Sequence, residues 1–362
     1  MKTRCKKTGT DGKQIRLLEG ETIYVGLDVH KKQYHLAVWS ATRQCILTTK
    51  VRPASPKSLA RYLAPHREAI RLIVYEAGPT GYTLARHLVR EGFPLEVISA
   101  SHTPTSRRQE QKTDRLDCRR LAEYAAKGLL RPVDVPSPEE EGARQVIRFR
   151  EQMKQNLQRV KVRIRSLLLQ HGLPEPSGLA HWSNKAVAAL RTLKCSHRLR
   201  FVLDEHLRDL EYAGRQLARA TKAIEDVCKE RYQEEVDLLK TIPGVGPLTA
   251  MVIATEMPRP ERFSTAAQVT SFLGLAPLVR ASGETRHELG RHRGGNKRLR
   301  TYLVEATWQW IRREPGAREI YNRLVANTGS PKKATVGMAR RLGILAWKMR
   351  VTRTPYSSDR VA

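Results

Sequence analysis

Asp28, Glu76, Asp114 and Asp117 are acidic residues in a chain whose formal net charge is +30, set in the local sequences Gly-Leu-Asp-Val-His, Val-Tyr-Glu-Ala and Thr-Asp-Arg-Leu-Asp. Transfer of a phosphodiester needs an activated oxygen nucleophile, neutralised charge at phosphorus and a stabilised leaving oxygen. Two Mg²⁺ ions about 4 Å apart supply all three, with Mn²⁺ as a substitute, and such hard cations take carboxylate oxygens. Asp114 and Asp117 are three apart on an expected helix and so point to one side, where mutual repulsion favours a bound cation. Taken singly, each acid also has an ordinary explanation, as a strand-end carboxylate or as a helix cap and dipole partner beside Thr113. Lys31, Lys32, Arg107, Arg108 and Lys112 flank the acids; they suit a phosphate backbone, or else form a solvated basic face.

A second constellation lies toward the C-terminus. Ser282, between Ala281 and Gly283, is followed by Arg286, Arg291, Arg293, Lys297, Arg298 and Arg300. Guanidinium groups beside a hydroxyl can stabilise an oxyanion of phosphorus. A serine alone is a weak nucleophile, and no Asp-His pair suited to a hydrolase triad is nearby, so on composition alone Ser282 reads as a turn residue. Upstream, Thr241-Ile-Pro-Gly-Val-Gly-Pro resembles a helix-hairpin-helix turn, in which Gly244 and Gly246 let backbone N–H groups approach a phosphate; an ordinary glycine-rich turn is the alternative.

These residues need elements to hold them. At 362 residues the chain exceeds one hydrophobic core, so two or three domains are expected. A leader over 1–21 is basic and polar, with no apolar middle of a signal peptide, and is expected to be loose. Over 22–130 the pattern predicts strands at 23–29, 34–39 and 46–51, a helix at 56–66, a strand at 72–75, a helix at 81–90, a strand at 95–99 and a helix at 114–127. Three strands, then alternating helices and strands, is the order of a ribonuclease H-like domain. It places Asp28 and Glu76 at the ends of neighbouring parallel strands. A proline- and glutamate-rich linker is expected over 131–141.

Two long helices follow over 142–240. Val146, Met153, Val160 and Leu167 recur every seven residues in the first; Leu203, Leu210, Leu217 and Ile224 do so in the second, a helix expected over 199–239, with Leu238 resuming the series after Arg231 interrupts it. They predict an antiparallel helical hairpin of coiled-coil type, which serves as a spacer arm or as a contact between copies. Residues 241–352 are expected to be helical, and 353–362 a frayed tail. The fold class is thus α/β plus all-α.

With 66 Lys and Arg against 36 Asp and Glu, nucleic acid is the expected partner and binding should depend strongly on salt. No apolar stretch reaches the roughly 20 residues that span a bilayer, so a cytoplasmic protein is expected. Cys5, Cys45, Cys118, Cys195 and Cys228 have no zinc-type spacing and read as reduced thiols.

Taken together, the Asp-Val-His-Lys start, Tyr-Glu-Ala-Gly, Lys-Thr-Asp-Arg-Leu-Asp, Ile-Pro-Gly-Val-Gly and the block Gly-Leu-Ala-Pro, Ser-Gly, Gly-Asn-Lys-Arg-Leu-Arg resemble the IS110/IS1111 family of transposases, over residues 23–313 and in the family's order. The resemblance implies a RuvC-like domain whose Asp-Glu-Asp-Asp tetrad is Asp28, Glu76, Asp114 and Asp117, and a C-terminal domain whose Ser282 forms a covalent link to a DNA end. It implies a bridge RNA that pairs with target and donor DNA, and a homodimer assembling to a tetramer. The sequence departs from the family's pattern in the stretch Leu-Val-Arg-Ala-Ser-Gly-Glu, where more Ser and Gly are usual, and at Cys118, where Ala is common. The leading expectation is a Mg²⁺-dependent DNA recombinase. A RuvC-like junction endonuclease that uses water, and a non-catalytic binder of structured nucleic acid, are the alternatives. A sugar kinase is disfavoured by the charge and by the lack of paired phosphate loops.

Overall fold

A computed structural model describes residues 14–99, 114–282, 285–291 and 294–358; for 114–116 and 278–291 only the backbone is described. The chain divides into two compact units, 1–136 and 137–362.

The first unit is a six-stranded mixed sheet with helices on both faces. Strands β1 (Ile23–Val29), β2 (Tyr34–Ser40) and β3 (Gln44–Val51) form an antiparallel meander; β4 (Ile70–Glu76) and β5 (Leu95–Ile98) add in parallel on the other side of β1; the short β6 (Pro132–Val133) closes the edge antiparallel. The spatial order is β3-β2-β1-β4-β5-β6, with the expected meander of β1 to β3 and β4 parallel beside β1. Helices α1 (Pro56–Leu63) and α2 (Thr83–Arg90) bury Leu59, Leu63, Leu84 and Leu88 in a core with Val25, Leu27 and Ile73. Helix α3 (Asp114–Ala126) covers the opposite face, where Cys118, Leu121, Ala122 and Ala125 meet Ala37, Trp39, Val74 and Ile98. Because side chains alternate along a strand, Tyr24, Gly26 and Asp28 of β1 and Leu72, Val74 and Glu76 of β4 belong to the α3 face.

Two expectations at the margins of this unit are corrected. The leader ends earlier than 21: Ile15 is buried in the core, and Glu21 accepts hydrogen bonds from Arg43, which hold its carboxyl down at about 2. The 131–141 linker is structured at both ends. It supplies β6, and Glu139–Glu141 form the first turn of the next helix, where Ser137 and Glu140 make reciprocal caps.

The second unit is mostly helical. Helix α4 (Pro138–Gln170) packs along α6 (His197–Val227), and a short α5 (Asn184–Thr192), absent from the sequence reading, fills the connection. The far part of the pair has its own core of Val160, Ile164, Leu168, Leu190, Leu203 and Leu207. Its base does not stand apart: Ala143, Ile147 and Ile224 join the large C-terminal core. The expected continuous helix to 239 is broken by a π-turn at Cys228–Tyr232, after which α7 (Gln233–Lys240) resumes. Helices α8 (Pro247–Glu256), α9 (Ala266–Leu273), α10 (Lys297–Arg313), α11 (Pro315–Thr328) and α12 (Pro331–Thr352) complete the core. Between α9 and α10 runs a two-stranded antiparallel ribbon, β7 (Pro277–Ser282) and β8 (Thr285–Arg291), where helix was expected. The tail to 358 is held: the Tyr356 amide donates to Thr241 Oγ1 at 3.0 Å, and burial pushes its phenol up to about 12. No helix among the described residues is long and apolar enough to cross a membrane.

Candidate functional site

The acidic residues depend on a close approach between β1 and α3. A Cβ on Gly26 would overlap the Cys118 carbonyl oxygen and lie 2.6 Å from the Ala122 amide nitrogen, so only glycine lets α3 lie this near the sheet. That contact sets Asp28, two residues on, beside the start of α3. The parallel register Leu27 to Tyr75 puts Asp28 and Glu76 at adjacent strand ends. On α3 the sheet-facing stripe runs through Cys118, Leu121, Ala122 and Ala125. Asp117 precedes Leu121 by one turn and so continues that stripe toward the same edge. The Asp114 side chain lies outside the described residues.

Burial pushes the Cys118 thiol up to about 12, with the negative charge of Asp28 adding to the shift. The thiol is therefore protonated at neutral pH, which leaves carboxylate oxygen as the anionic donor type at this edge, the type that Mg²⁺ and Mn²⁺ take. Among the described residues no group of three or more His, Cys, Asp or Glu side chains is gathered closely enough to hold an ion.

Two histidines were missed by the sequence reading. His30 Nε2 lies 3.0 Å from Asp28 Oδ2, and its ring meets that of His35 edge-on at 5.6 Å. His35 is buried, pairs with Asp28 in the β1–β2 register, and bonds Gln33 at 2.7 Å. The i, i+2 spacing of Asp28, at the end of β1, and His30, just past it, was the available signal. Lys31 and Lys32 are exposed at the turn that follows; Arg107, Arg108 and Lys112 lie outside the described residues.

In the second unit Ser282 ends β7 and pairs with Thr285 at the tip of the ribbon. Arg286 and Arg291 are on β8, with side chains outside the description, as is Arg293 altogether. The root of the ribbon is tightly built. Gly274 has φ +64°, and a Cβ there would overlap the Arg300 guanidinium and the Gly294 carbonyl; a Cβ on Gly295, at φ +82°, would lie 2.6 Å from Gly274 Cα. The Asn296 amide donates to the Phe272 carbonyl at 2.8 Å, while Asn296 Oδ1 caps α10 by accepting from Leu299 N at 3.0 Å.

Arg298 and Arg300, expected to meet nucleic acid, are engaged internally. Arg300 is buried and donates to the carbonyls of Leu273 and Gly294 at 3.2 and 3.1 Å, satisfying the C-terminal end of α9. Arg298 donates to Glu151 at 2.6 Å and to Glu256 at 3.3 Å. Glu256 is itself buried at the C-terminal end of α8, where the helix dipole disfavours a carboxylate; Arg298 and the Asn296 amide, at 2.8 Å, offset this. Their partners are more than a hundred residues away in one case, so no local pattern announced them. Lys297 remains exposed.

The glycine turn also differs from expectation. A Cβ on Gly244, at φ +92°, would lie 2.7 Å from Gln309 Cβ, so this glycine serves packing against α10. Gly246 has open space around it and stands at the N-cap of α8.

Two family models match the sequence. The Transposase IS116/IS110/IS902 family matches residues 236–322, and a transposase model of the DEDD type of IS110 matches residues 25–172. The chain is 28% identical over 309 residues to a putative transposase, y4qE, of Sinorhizobium fredii, covering 82% of this chain and 74% of that one. It is 24% identical over 366 residues to the transposase for insertion sequence element IS1111A of Coxiella burnetii, covering 97% and 94%.

Proposed function

Because the chain belongs to the IS110/IS1111 family of transposases, we propose that it is a DNA recombinase that excises and inserts its own element by phosphodiester strand transfer. The observation that carries this reading is the parallel β1–β4 register, which sets Asp28 and Glu76 at adjacent strand ends on the face that α3, with Asp117, covers. In this reading the four carboxylates hold divalent metal, Mg²⁺ or Mn²⁺, which supplies charge neutralisation at the transferring phosphorus.

The protein's own groups do the rest. Ser282 Oγ gives up its proton and bonds to phosphorus; the bond from phosphorus to the leaving sugar oxygen breaks, and that oxygen gains a proton. The phosphodiester energy is kept in a serine ester until a hydroxyl of another strand attacks it, restoring the serine. Arg286, Arg291, Arg293 and Lys297 supply positive charge near that phosphate, and Lys31, Lys32, Arg107, Arg108 and Lys112 near the acids. Guidance by a bridge RNA and assembly of homodimers into a tetramer belong to the same reading. What supports it is the chain's formal net charge of +30, which suits backbone contact with nucleic acid and would leave sequence recognition to base pairing.

Trapping a covalent protein–DNA adduct on element-end DNA tests the reading. Wild type gives an adduct at Ser282; Ser282→Ala and Asp114→Asn give none. Hydrolysis that persists in Ser282→Ala would instead establish a junction endonuclease using water. Nucleic-acid binding unaffected by Asp114→Asn, with neither adduct nor cleavage from wild type, would leave only a binding protein.

A further inference from the structure

The helical face of the first unit that looks away from α3 carries a basic groove that neither the acids nor the serine uses. It is a cleft of about 300 Å³ between α1 and α2. Lys57, Ala60, Arg61 and Ala64 recur at i, i+3, i+4 and i+7 along α1 and its 3₁₀ extension, so two cations stand over a floor of two methyl groups. His87 faces them from α2, and Arg67 closes one end, its guanidinium over the Phe93 ring at 4.6 Å.

The groove's own charge is unanswered. In the second unit some exposed cations are paired, Arg191 with Glu211, Arg208 with Glu205, Lys222 with Asp226 and Lys240 with Asp237, while others such as Lys154, Arg198 and Arg219 make no ion pair among the described residues, so it is the gathering of unpaired cations around one concavity that marks this cleft. Among the described residues Lys57, Arg61, Arg67 and His87 make no ion pair, although Glu91 lines the same cleft. Like charges collected around a concave surface repel one another unless an anion enters. Apart from the partly exposed His87 imidazole, the lining of the groove offers no aromatic ring for a base to stack on, since Phe93 is buried beneath Arg67. It is equipped to hold phosphates and not to read or stack bases, which suits a duplex better than a single strand. It also begins near the chemistry. Strand β3 runs parallel to β1, both being antiparallel to β2, so α1 starts at the edge where β1 and β4 deliver Asp28 and Glu76. Lys57, in the first turn of α1, is nearest that edge.

We propose that the α1–α2 groove is a sequence-blind track for the sugar-phosphate backbone of duplex DNA, continuing the DNA path away from the acidic edge. The inference rests on the DNA partner of the reading above and not on its serine chemistry.

The test measures affinity of the full chain, without added metal, for a short DNA duplex lacking any element sequence, across a salt series. Lys57→Ala/Arg61→Ala removes two phosphate contacts. The slope of log K against log salt should fall in magnitude by about 2, with roughly ten- to hundredfold weaker binding near 0.1 M salt. Arg208→Ala/Lys222→Ala, which removes two paired cations, should leave the slope nearly unchanged. Both alanine pairs are at exposed positions, and unchanged thermal midpoints confirm the fold; Lys57→Gln/Arg61→Gln provides a second variant that keeps side-chain bulk.

An unchanged slope in the groove variants overturns the proposal. So does an equal loss in the paired-cation control, or a loss confined to single-stranded RNA of the same length. Equal losses on duplex DNA and duplex RNA support it as backbone recognition. Adduct formation at Ser282 is a separate readout, so failure here leaves that assignment standing, and failure there leaves this one standing.

Discussion

Cys118 shows how much one side chain's setting decides at this site. Its thiol is buried against β1 and pushed up to about 12 by burial and by Asp28, so thiolate is scarce at any working pH below that value. Since the thiolate is the reactive form, Cys118 should resist alkylation in the folded chain at pH 8. Cys45 and Cys195 are partly exposed and should react first. Peptide mapping after a timed iodoacetamide pulse checks this, and early labelling of Cys118 would mean that α3 does not cover it. Glu256 shows the opposite case, a buried carboxyl that Arg298 and the Asn296 amide answer. Glu256→Ala leaves Arg298 with Glu151 alone and strips Asn296 of its side-chain acceptor. Breaking such a buried network should cost about 3 kcal/mol or more, read from denaturant unfolding of the second unit.

Elements carry these residues, and the sequence announced elements unevenly. Strand β1 was legible to the residue, because a β-branched, apolar run between polar turns admits little else. The ribbon β7–β8 was not. Its residues, Pro-Leu-Val-Arg-Ala-Ser and Thr-Arg-His-Glu-Leu-Gly-Arg, lack a clean alternation, and what defines it is the distant root made by Gly274, Gly295, Asn296 and Arg300. For the same reason Arg298 and Arg300 read as phosphate ligands in a basic run, when their acceptors were α9 carbonyls and acids on α4 and α8. Asp28 and Glu76 could be placed at adjacent strand ends because strand order alone sets them there. The approach of α3 to that face depends on Gly26, whose role appears only once α3 is in place. Gly26→Ala should force α3 off β1 at a cost of about 2 kcal/mol and reduce the Ser282 adduct sharply. Gly274→Ala, at φ +64° and with no room for Cβ, should disturb the ribbon root instead. There the expected result is loss of adduct with non-specific DNA affinity retained, since the basic surface of the first unit is untouched.

At the scale of the whole molecule, hydrophobic cores are partitioned as the units are. The clusters around Ile23, Trp39 and Val74 draw only on the first unit, and those around Ile164 and Trp310 only on the second. Each unit buries an apolar interior of its own, so each should melt as its own cooperative block. Calorimetry of the full chain should then resolve two transitions. A loss of 1 kcal/mol moves the midpoint of a block this size by about 3 °C, so Gly26→Ala should lower one transition by about 6 °C and leave the other in place. Glu256→Ala should do the converse, by about 9 °C, because its network lies wholly among α4, α8 and α10. Should both substitutions shift a single common transition, the partition of stability into two units would be wrong, and the effects of Gly26 on the adduct would have to be ascribed to the fold as a whole.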